Sequence, residues 1–428
     1  MESGNVRRVA VIGGTRIPFC RAHTAYVRIG NQDMMTAALQ GVVTRFGLKG
    51  QALGEVSLGA VIKHSRDWNL ARESVLGSGL APETPAFDLQ RACGTSLEAA
   101  ILIGHKIALG QIDAGIAGGT DSISDAPIVY PREYQQLLLA SARGRSLGAK
   151  LKPWLGLRPR HFKPALPGVV EPRTGLSMGQ STELTAKEWK ISRQAQDELA
   201  LASHQRAAAA YSDGFYDDLV IPFRGVTVDN TLRQDTSLEK LAKLRTVFDR
   251  SPAGTMTAGN STALTDGAAA VLLATEDWAK ERGLPVQAWL TFGEVAAVDF
   301  VGGEGLLMAP AYAVSRMLKR AGLGFGDFDQ FEIHEAFAAQ VLATLAAWES
   351  EEFCRDRLQR DEPLGTIDRD KLNIHGSSLA LGHPFAATGA RILATLAASL
   401  ERAGSGRGLI SVCTAGGMGV TAILERTD

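Results

Sequence analysis

The sequence predicts a layered α/β fold, because short β-rich runs alternate with longer alanine-rich stretches at helical spacing. Residues 9–12 form the first predicted strand. Residues 97–109 are apolar on nearly every face and predict a helix that is buried on most sides. A chain of 428 residues with 45% apolar content suits two or three such units around a sizeable core.

The same order of elements occurs twice. "RACGTS" (91–96) is followed by a predicted helix and by "AGIAGG" (114–119), which predicts a short strand ending in paired glycines. Near the other end, "GHPFAATG" (382–389) is followed by a predicted helix over about 390–402 and by the strand-like "GLISVC" (408–413). We therefore expect an internal repeat, in which a reactive-looking residue precedes a helix in each half.

Composition excludes several classes of function. The net charge of -1 gives no overall field that would draw the chain to nucleic acid. "VIGGTR" (11–16) lacks the GxGxxG spacing of a dinucleotide site. The cysteines form no CxxC pair and no zinc-ligand spacing, which predicts a reducing compartment, no disulfides and no metal site. They are Cys20, Cys93, Cys354 and Cys413.

The start of the chain, "MESGNVRRVAVIGG", lacks the apolar core and the cleavage site of a secretory signal. No apolar run approaches the roughly 20 residues that span a bilayer. We therefore expect a cytoplasmic protein if the chain is bacterial, or a mitochondrial matrix protein if it is a processed eukaryotic chain.

One local basic patch lies in an irregular stretch, residues 126–250, between the two halves. Residues 132–163 carry eight Lys/Arg against the single acid Glu133. This basic segment (residues 132–163) is either a solvated face or a seat for a polyanionic ligand, a partner protein or a membrane surface. Residues 191–210 then predict a solvent-facing helix with Ser192 as its cap.

Cys93 is the first candidate for chemistry. Free cysteine is among the most buried residue types, so a structural thiol is the simplest interpretation. The alternative is a nucleophile at the start of a helix, whose positive end would lower the thiol pKa from its usual value of about 8.5. The residues around Cys93 leave both interpretations open.

Three further residues favour the nucleophile. His383 lies between a glycine and a proline ahead of a helix, which fixes its direction and suits a general base. Cys413 ends a strand ahead of the glycine-rich "TAGGMG" (414–419), whose N–H groups could hold a developing oxyanion. His334 and Glu335 follow a strand-like run, and as an isolated pair they are a weak signal.

Together these motifs resemble the thiolase family (acetyl-CoA C-acyltransferases), in the family's order and over essentially the whole chain. The earlier signatures are "TRIPF", "RACGTSLEAA", "AGGTDSIS" and "SMGQSTELTAKEWKISRQAQDELALASHQRA". The later ones are "GTMTAGNSTALTDGAAA", "IHEAFA", "GHPFAATGAR" and "CTAGGMG". The resemblance implies the thiolase fold: two similar βαβαβαββ halves in five α-β-α-β-α layers, with an inserted loop domain.

The resemblance also implies domain boundaries. The N-terminal half would span residues 1–128, completed by about 249–285, and the C-terminal half would span residues 286–428. Residues 129–248 would form the loop domain, which would contact CoA and a partner or a membrane.

By the same resemblance, Cys93 would attack the keto carbonyl of a 3-ketoacyl-CoA, release acetyl-CoA and keep the shortened acyl chain as a thioester. His383 would accept the thiol proton. Cys413 would protonate the leaving acetyl-CoA carbanion and deprotonate the incoming CoA. The N–H groups of Cys93 and Ala415 would hold one oxyanion, and His383 with a water held by His334 would hold the other.

CoA would be a co-substrate, and no permanently bound cofactor is implied. Met178 would pack near the adenine and Arg233 near the nucleotide. Thr262, beside Ser261, would lie along the pantetheine arm.

His334, where many thiolases have asparagine, resembles one branch of the family, the β subunit of the trifunctional fatty-acid oxidation complex. "GHPFAATG" and the basic segment fit that branch, although Ala386 replaces a commoner glycine, and Ser377 stands where a second glycine is frequent. This implies degradation of medium or long acyl chains by a homodimer or homotetramer. The basic segment would contact a hydratase/dehydrogenase α subunit or an anionic membrane.

Three alternatives stay open. A biosynthetic acetoacetyl-CoA thiolase would run the same machinery toward condensation, and a β-ketoacyl synthase would use a cysteine with two histidines. A scaffold would bind acyl-CoA without turning it over. Cys413 argues against the synthase, and the full set of nucleophile, base and second thiol argues against the scaffold. Cys20, Cys354 and His375 are expected to be structural.

Overall fold

The computed structural model describes residues 6–165 and 168–427, in which strands and helices alternate along the chain. The strands are β1 (Ala10–Arg16), β2 (Cys20–Arg21), β3 (Glu55–Leu58), β4 (Ala86–Asp88), β5 (Ala114–Asp121), β6 (Thr265–Ala274), β7 (Ala288–Ala297), β8 (Gln330–Ile333), β9 (Gly406–Thr414) and β10 (Met418–Arg426). The α-helices are α1 (Asn31–Arg45), α2 (Leu70–Ser78), α3 (Thr95–Ala108), α4 (Arg132–Arg143), α5 (Leu147–Leu151), α6 (Met178–Glu188), α7 (Arg193–Ser212), α8 (Leu238–Ala242), α9 (Glu276–Glu281), α10 (Ala309–Ala321), α11 (Ala338–Glu349), α12 (Glu351–Asp356), α13 (Ser378–Leu381) and α14 (Thr388–Ala403).

The strands form two half-sheets of matching order, as the internal repeat requires. The first runs β4-β3-β5-β6-β1 and the second β8-β9-β10-β7, and they meet where β1 pairs with β7. In each half a parallel pair, β3–β5 or β8–β9, is followed by antiparallel pairing through β6 to β1 or through β10 to β7. The two halves are therefore related by a pseudo-twofold, which gives α3 and α14 equivalent positions.

The second half departs from the expected βαβαβαββ pattern by one strand. In the first half β4 pairs in parallel with β3 at the sheet edge. Its counterpart in the second half is only an isolated parallel bridge between Phe331 and Leu372. Beyond Leu372 the chain turns into the short helix α13, which leads to the loop that carries His383.

Alternation of side chains along the strands separates five layers. Ile12 of β1 packs with the outer helices α1 and α2, whereas its neighbour Val11 packs with the central helices α3 and α14. In the second half, Leu409 of β9 packs with α10 and α11, and Ile410 packs with the same central helices. The order is therefore helices, half-sheet, central helices, half-sheet, helices, which confirms the predicted layering.

The two central helices approach each other closely at their first turns. A Cβ atom at Gly389 would lie 2.4 Å from the backbone nitrogen of Leu97, so no larger residue fits without moving the backbone. The Ala390 N–H donates to Ser96 Oγ at 2.8 Å and joins the same two turns. The loops that lead into α3 and α14 therefore lie at one end of the central layer.

The chain between β5 and β6 is partly integrated into the body of the protein. Helices α6 and α7 pack against α11, and α7 also packs against α13. Ser192 caps α7 as predicted, but the expected solvent-facing helix buries one face, which includes Ser203 and His204. Helices α4 and α5, in the basic segment, bury none of their residues. The predicted domain boundaries stay a prediction.

The basic segment is held together by its own aromatic residues. Tyr134 of α4 contacts Tyr130, Trp154 and Phe162, with ring centroids 4.8, 6.3 and 5.4 Å away. The Trp154 Nε1–H donates to Ser141 Oγ at 2.9 Å. Within the described residues, none of the helices combines the length and the apolar character required to cross a bilayer.

We expect Gly389→Ala to destabilise the protein, because the added methyl group meets the backbone of Leu97 rather than a side chain that can move. Overpacking of this kind costs about 1–3 kcal/mol, so the midpoint of thermal unfolding should fall. Gly326→Ala is the matched control, since an added Cβ there has no neighbour within 4 Å. Equal unfolding midpoints for the two variants, followed by circular dichroism, would contradict the close crossing.

Candidate active site

Cys93 lies in a tight turn between β4 and α3. The residue before it, Ala92, has a φ of 44°, a left-handed conformation that costs an alanine about 1–2 kcal/mol. Thr95 braces the turn: its hydroxyl donates to the Ala92 carbonyl at 2.6 Å and accepts the Arg91 N–H at 2.9 Å. The sequence contains no signal for this strain, because alanine does not favour positive φ.

Two backbone N–H groups, those of Ala415 and of Cys93 itself, lie near the Cys93 sulfur and act to lower the pKa of its thiol. Ala415 begins the turn after β9, in which Gly416 and Gly417 have φ of 77° and 69°. Cys413, near the end of β9, is buried beside this turn; burial raises the pKa of its thiol, and the neighbouring Cys93 raises it further. The structure thus brings Cys93, Cys413 and the Ala415 N–H together.

His383 is buried in the loop that leads into α14 and is held at both its backbone and its ring. Its backbone N–H donates to Thr265 Oγ1 at 2.7 Å, and its ring Nδ1 lies 2.6 Å from Thr388 Oγ1. Phe385 packs edge-on against the ring, with centroids 5.3 Å apart. The ring therefore has one orientation, in which Nε2 faces His334.

His334 stands directly beside His383. The two Nε2 atoms are 3.3 Å apart and the ring centroids 4.1 Å apart. His334 follows β8, and its backbone N–H donates to the Ser411 carbonyl of β9 at 2.8 Å. Its Nδ1 lies 2.9 Å from Ser378 Oγ. The structure therefore brings together two histidines that are 49 residues apart in the sequence.

Burial sets the charge state of these groups. It raises the pKa of the Cys93 thiol to about 12, and the two N–H donors reduce this effect without reversing it. Burial also lowers the pKa of His383 to about 3, with the charge of Arg391 acting in the same direction, and holds the pKa of His334 well below its usual value. Burial therefore acts against the lowering of the Cys93 pKa that the start of a helix would produce. At neutral pH the site holds a thiol and neutral imidazoles.

Asp121, which lies in the "AGGTDSIS" signature but was given no role in the sequence analysis, connects the two halves of the site. It ends β5, is buried, and accepts the N–H groups of Val61, Ile62 and Ala386 at 3.0, 2.7 and 2.8 Å. Burial raises its pKa to about 7 in spite of these donors. Ala386 lies in the same loop as His383, so Asp121 fixes that loop against the first half. Its position at the end of a buried strand is the signal that could have found it.

The sequence predicted that the paired glycines Gly118 and Gly119 end β5. That prediction is wrong, because the strand continues to Asp121. A Cβ atom at Gly119 would lie 2.1 Å from the Ala386 carbonyl oxygen. This glycine therefore permits close packing of the His383 loop and does not form a turn.

Arg391 forms the centre of a buried polar network behind the two histidines. This residue of α14 is 1% exposed, and its Nη2 donates to Ser378 Oγ at 2.8 Å and to Ser377 Oγ at 3.2 Å. Glu332 lies 3.8 Å from its Nη1. Ser377 has a φ of -141°, an extended conformation that any residue adopts, so the glycine that is frequent there is not required.

Glu335 turns away from the histidines. Its carboxylate accepts Ser203 Oγ at 2.6 Å, Asn373 Nδ2 at 2.8 Å and the Leu379 N–H at 3.2 Å. It thereby joins the chain after β8 to α7 and α13. Glu335 supports the backbone that carries His334 and does not face the sulfur atoms.

Met178 and Arg233, two of the four residues predicted to contact CoA, lie in different environments from each other. Met178 begins α6 and packs on the apolar cluster that contains Cys413. The side chain of Arg233 is exposed, and its backbone N–H donates to His204 Nδ1 at 3.2 Å. The structure therefore places Met178 against the cluster that contains Cys413 and leaves Arg233 at the surface.

Ser261 and Thr262 lie in the loop before β6, where Thr262 contacts α13. Thr262 Oγ1 donates to the Ser378 carbonyl at 2.8 Å, so this hydroxyl stabilises the helix that supports His334. Ser261 Oγ is buried and has no hydrogen-bond partner among the described residues. The assignment of all four residues to CoA stays a prediction.

The chain that follows the basic segment reaches the glycine-rich turn through Glu171. This buried carboxylate accepts the Gly416 N–H at 2.6 Å, next to the Ala415 N–H that points at Cys93. The backbone of Glu171 is fixed in its own loop, donating to the Leu176 carbonyl at 2.9 Å and accepting the Gly175 N–H at 2.8 Å. No sequence motif indicated this contact.

The remaining cysteines and His375 make structural contacts. Cys354 Sγ donates to the Ala347 carbonyl at 3.6 Å, and Cys20 is buried with its thiol pKa raised by desolvation. His375 stacks on Phe215, with ring centroids 3.5 Å apart. Within residues 6–165 and 168–427, no group of three or more His, Cys, Asp or Glu side chains has the arrangement of metal ligands.

Comparisons with known proteins identify the family to which this chain belongs. The family models "Thiolase, N-terminal domain" and "Thiolase, C-terminal domain" match residues 9–277 and 287–426. The 3-ketoacyl-CoA thiolases of Yersinia pestis (strain Pestoides F) and Yersinia pseudotuberculosis serotype O:3 (strain YPIII) are each 41% identical over 424 residues, 98% of this chain and 97% of the relative.

Solved structures agree as well. Human mitochondrial 3-ketoacyl-CoA thiolase is 30% identical with a TM-score of 0.81, over 99% of this chain and 100% of the human one. A structure of the human enzyme in complex with CoA gives the same identity and TM-score over 99% of each chain. Bacillus anthracis acetyl-CoA acetyltransferase is 29% identical with a TM-score of 0.82, over 99% and 100%. The resemblance and the fold predicted from the sequence are confirmed, and the chain belongs to the thiolase family.

Proposed function

We propose that this protein is a 3-ketoacyl-CoA thiolase of fatty-acid β-oxidation, which uses CoA to cleave a 3-ketoacyl-CoA into acetyl-CoA and a shortened acyl-CoA. The observation that carries the proposal is the crossing of α3 and α14 at their first turns, which brings the turn of Cys93, with Cys413 and the Ala415 N–H beside it, to the same end of the central layer as the loop of His383 and its partner His334. Relatives that are 41% identical over nearly the whole chain are named for the same reaction. CoA takes part as a co-substrate.

In the first step Cys93 attacks the keto carbonyl and its proton passes to His383 Nε2. A neutral imidazole can accept a proton, and the lowered pKa keeps His383 neutral at physiological pH. Because the raised thiol pKa opposes a free thiolate, the proton leaves as the C–S bond forms and not before. The N–H groups of Cys93 and Ala415 hold the resulting oxyanion, and such a donor typically contributes about 10²–10³-fold to turnover.

Carbon–carbon cleavage follows. The bond electrons pass to the acetyl-CoA fragment as an enolate, whose thioester oxygen is held by protonated His383 and a water held by His334. Cys413 donates its proton to the carbon. Acetyl-CoA leaves, the shortened acyl chain remains on Cys93 as a thioester, and Cys413 is left as a thiolate.

The second half-reaction returns both protons. The Cys413 thiolate takes the proton of incoming CoA, whose sulfur attacks the acyl–Cys93 thioester. The same two N–H groups hold the oxyanion. The Cys93 sulfur leaves and recovers its proton from His383, so the cycle ends with both thiols and a neutral imidazole.

The basic segment exposes both basic and apolar side chains. Helix α4 buries none of its residues. The exposed large apolar side chains of this segment and of the residues just before it are Ile128, Val129, Tyr130, Leu138, Leu139, Leu147, Leu151, Leu155, Leu157 and Phe162. Apolar side chains flanked by Lys/Arg are the combination that binds the surface of an anionic bilayer. We propose an anionic membrane as the partner of this surface.

Two further features of the family extend the proposal. We propose that the chain assembles as a homodimer or homotetramer, and that it works in the bacterial cytoplasm. The bacterial source of the 41% identical relatives supports the second point.

We expect the purified protein to cleave medium- and long-chain 3-ketoacyl-CoA faster than acetoacetyl-CoA, measured by the CoA-dependent loss of the 3-ketoacyl absorbance. Cys93→Ala should lower this rate by at least about 10³-fold, because it removes the nucleophile. Cys354→Ala, which truncates a buried thiol away from the site, is the control and should keep the parent rate.

Incubation with an acyl-CoA, followed by peptide mapping, should place the added acyl mass on Cys93. Attachment elsewhere would refute the nucleophile. Activity confined to the four-carbon substrate would move the assignment to a biosynthetic thiolase.

The pH dependence of Cys93 alkylation tests the charge state of the site. Since the thiol pKa is raised to about 12, the thiolate fraction is small at neutral pH and grows about tenfold with each pH unit. We therefore expect the rate of inactivation by iodoacetamide to rise steadily from about pH 7 to pH 9.5. A plateau near pH 7 would show a stabilised thiolate and contradict this electrostatic account.

Membrane binding is testable by co-sedimentation with vesicles. We expect binding to vesicles that contain phosphatidylglycerol, weaker binding to phosphatidylcholine alone, and loss of binding in a chain carrying Leu139→Asp and Leu155→Asp. Leu76→Asp, at an exposed leucine outside the basic segment, is the matched control. Equal sedimentation of the double variant and the control would overturn the membrane assignment, as would co-purification with a hydratase/dehydrogenase subunit that the double variant abolishes.

A further inference from the structure

The hydroxyl of Ser378 lies between a cation and a catalytic histidine. Its Oγ is 2.8 Å from Arg391 Nη2 and 2.9 Å from His334 Nδ1. Ser378, Arg391 and His334 are 0%, 1% and 1% exposed. Within the described residues, these two groups are the only hydrogen-bond partners of this hydroxyl.

The chemistry of arginine fixes the direction of the first hydrogen bond. A guanidinium only donates, so Ser378 Oγ accepts from Arg391. The serine hydrogen then has one acceptor available, His334 Nδ1, and leaving it unpaired in this buried position would cost about 1–3 kcal/mol. His334 Nδ1 therefore carries no proton, and the proton of the neutral ring is on Nε2.

The same logic extends to the second ring. The two Nε2 atoms are 3.3 Å apart, so they share a single hydrogen. Since His334 supplies it, His383 Nε2 accepts, and the proton of His383 is on Nδ1. From there it is donated to Thr388 Oγ1, which lies 2.6 Å away. Each group in the series therefore donates a hydrogen bond to the next, from the Arg391 guanidinium through Ser378, His334 and His383 to Thr388.

We propose that Ser378 and Arg391 are positioning residues that fix the tautomers of both histidines, an inference that rests on the proposed function. In this arrangement His383 Nε2 carries no proton. When substrate replaces the hydrogen bond between the two rings, this nitrogen can accept the Cys93 proton and the His334 Nε2–H can hold the catalytic water. The opposite arrangement would place the proton on His383 Nε2, where it blocks base catalysis. A permanent cation at one end of the chain makes the first arrangement the stable one.

The tautomers can be read directly in protein labelled with ¹⁵N-histidine, because a ring nitrogen without a proton resonates far from a protonated one. His334→Asn and His383→Asn identify the two sets of signals. We expect His334 to be protonated at Nε2 and His383 at Nδ1, at neutral pH and without substrate. A proton on Nδ1 of His334 would overturn the inference, whatever the behaviour of the variants.

Substitutions at Ser378 test the consequence for turnover. We expect Ser378→Ala to redistribute the His334 proton and to lower kcat by about 10–100-fold, with KM for the ketoacyl-CoA nearly unchanged. Ser378→Thr keeps the hydroxyl and should restore both the spectrum and kcat. Ser377→Ala is the matched control, because its hydroxyl contacts the same guanidinium at 3.2 Å and no histidine; it should keep the parent tautomers and rate.

The outcomes separate this inference from the proposed function. A protein with the expected tautomers but no thiolytic activity would refute the proposed function alone. An active thiolase in which Ser378→Ala keeps the parent spectrum and kcat would refute the role of Ser378 alone. If Ser378→Ala does not fold, the spectrum of the parent chain still decides the tautomers.

Discussion

The crossing of α3 and α14 at their first turns is the constraint on which the site depends. The absence of a side chain at Gly389 lets α14 rest on the backbone of Leu97, and the Ala390–Ser96 hydrogen bond joins positions 294 residues apart. Each helix begins directly after a loop that carries a reacting group. The distance between the helices therefore sets the distance between a cysteine from one half and a histidine from the other.

Desolvation governs the charge states in the site: His334, His383 and Cys413 are buried, and Cys93 is partly buried. A dry environment disfavours every charged form, so the thiols are protonated and the imidazoles neutral before substrate arrives. The thiolate is the form of cysteine that oxidants attack, so a protonated Cys93 is chemically quiet between turnovers. The buried side chains of Arg391 and Asp121 make several hydrogen bonds each, and they position the backbone around the two histidines.

The layered fold, its two related halves and the turns that carry the candidate catalytic residues could be predicted from the sequence, because each depends on a local pattern. The alternation of apolar residues predicted the layers, and the repeated order of turn, helix and strand predicted two related halves. The turns around Cys93, His383 and Cys413 stood out because small residues and glycines surround a reactive side chain. In each case the signal lay within about ten residues of the feature that it predicted.

What the sequence did not reveal depends on contacts between distant positions. Asp121 reaches Ala386 across 265 residues, and no local pattern distinguishes it from any other aspartate at the end of a strand. The helix that follows Cys93 suggested a lowered pKa, whereas the burial that raises the pKa of this thiol arises only in the folded protein. The left-handed Ala92 and the support of His334 by Ser378 likewise appear only when the tertiary packing is known.

The hydrogen bond between Glu171 and Gly416 joins the loop that follows the basic segment to the glycine-rich turn after β9. In the sequence, Glu171 lies between the solvent-exposed helices α4 and α5 and the packed helix α6. This hydrogen bond therefore couples the position of the loop that follows the solvent-exposed helices to that of the turn whose Ala415 N–H lies beside the nucleophile.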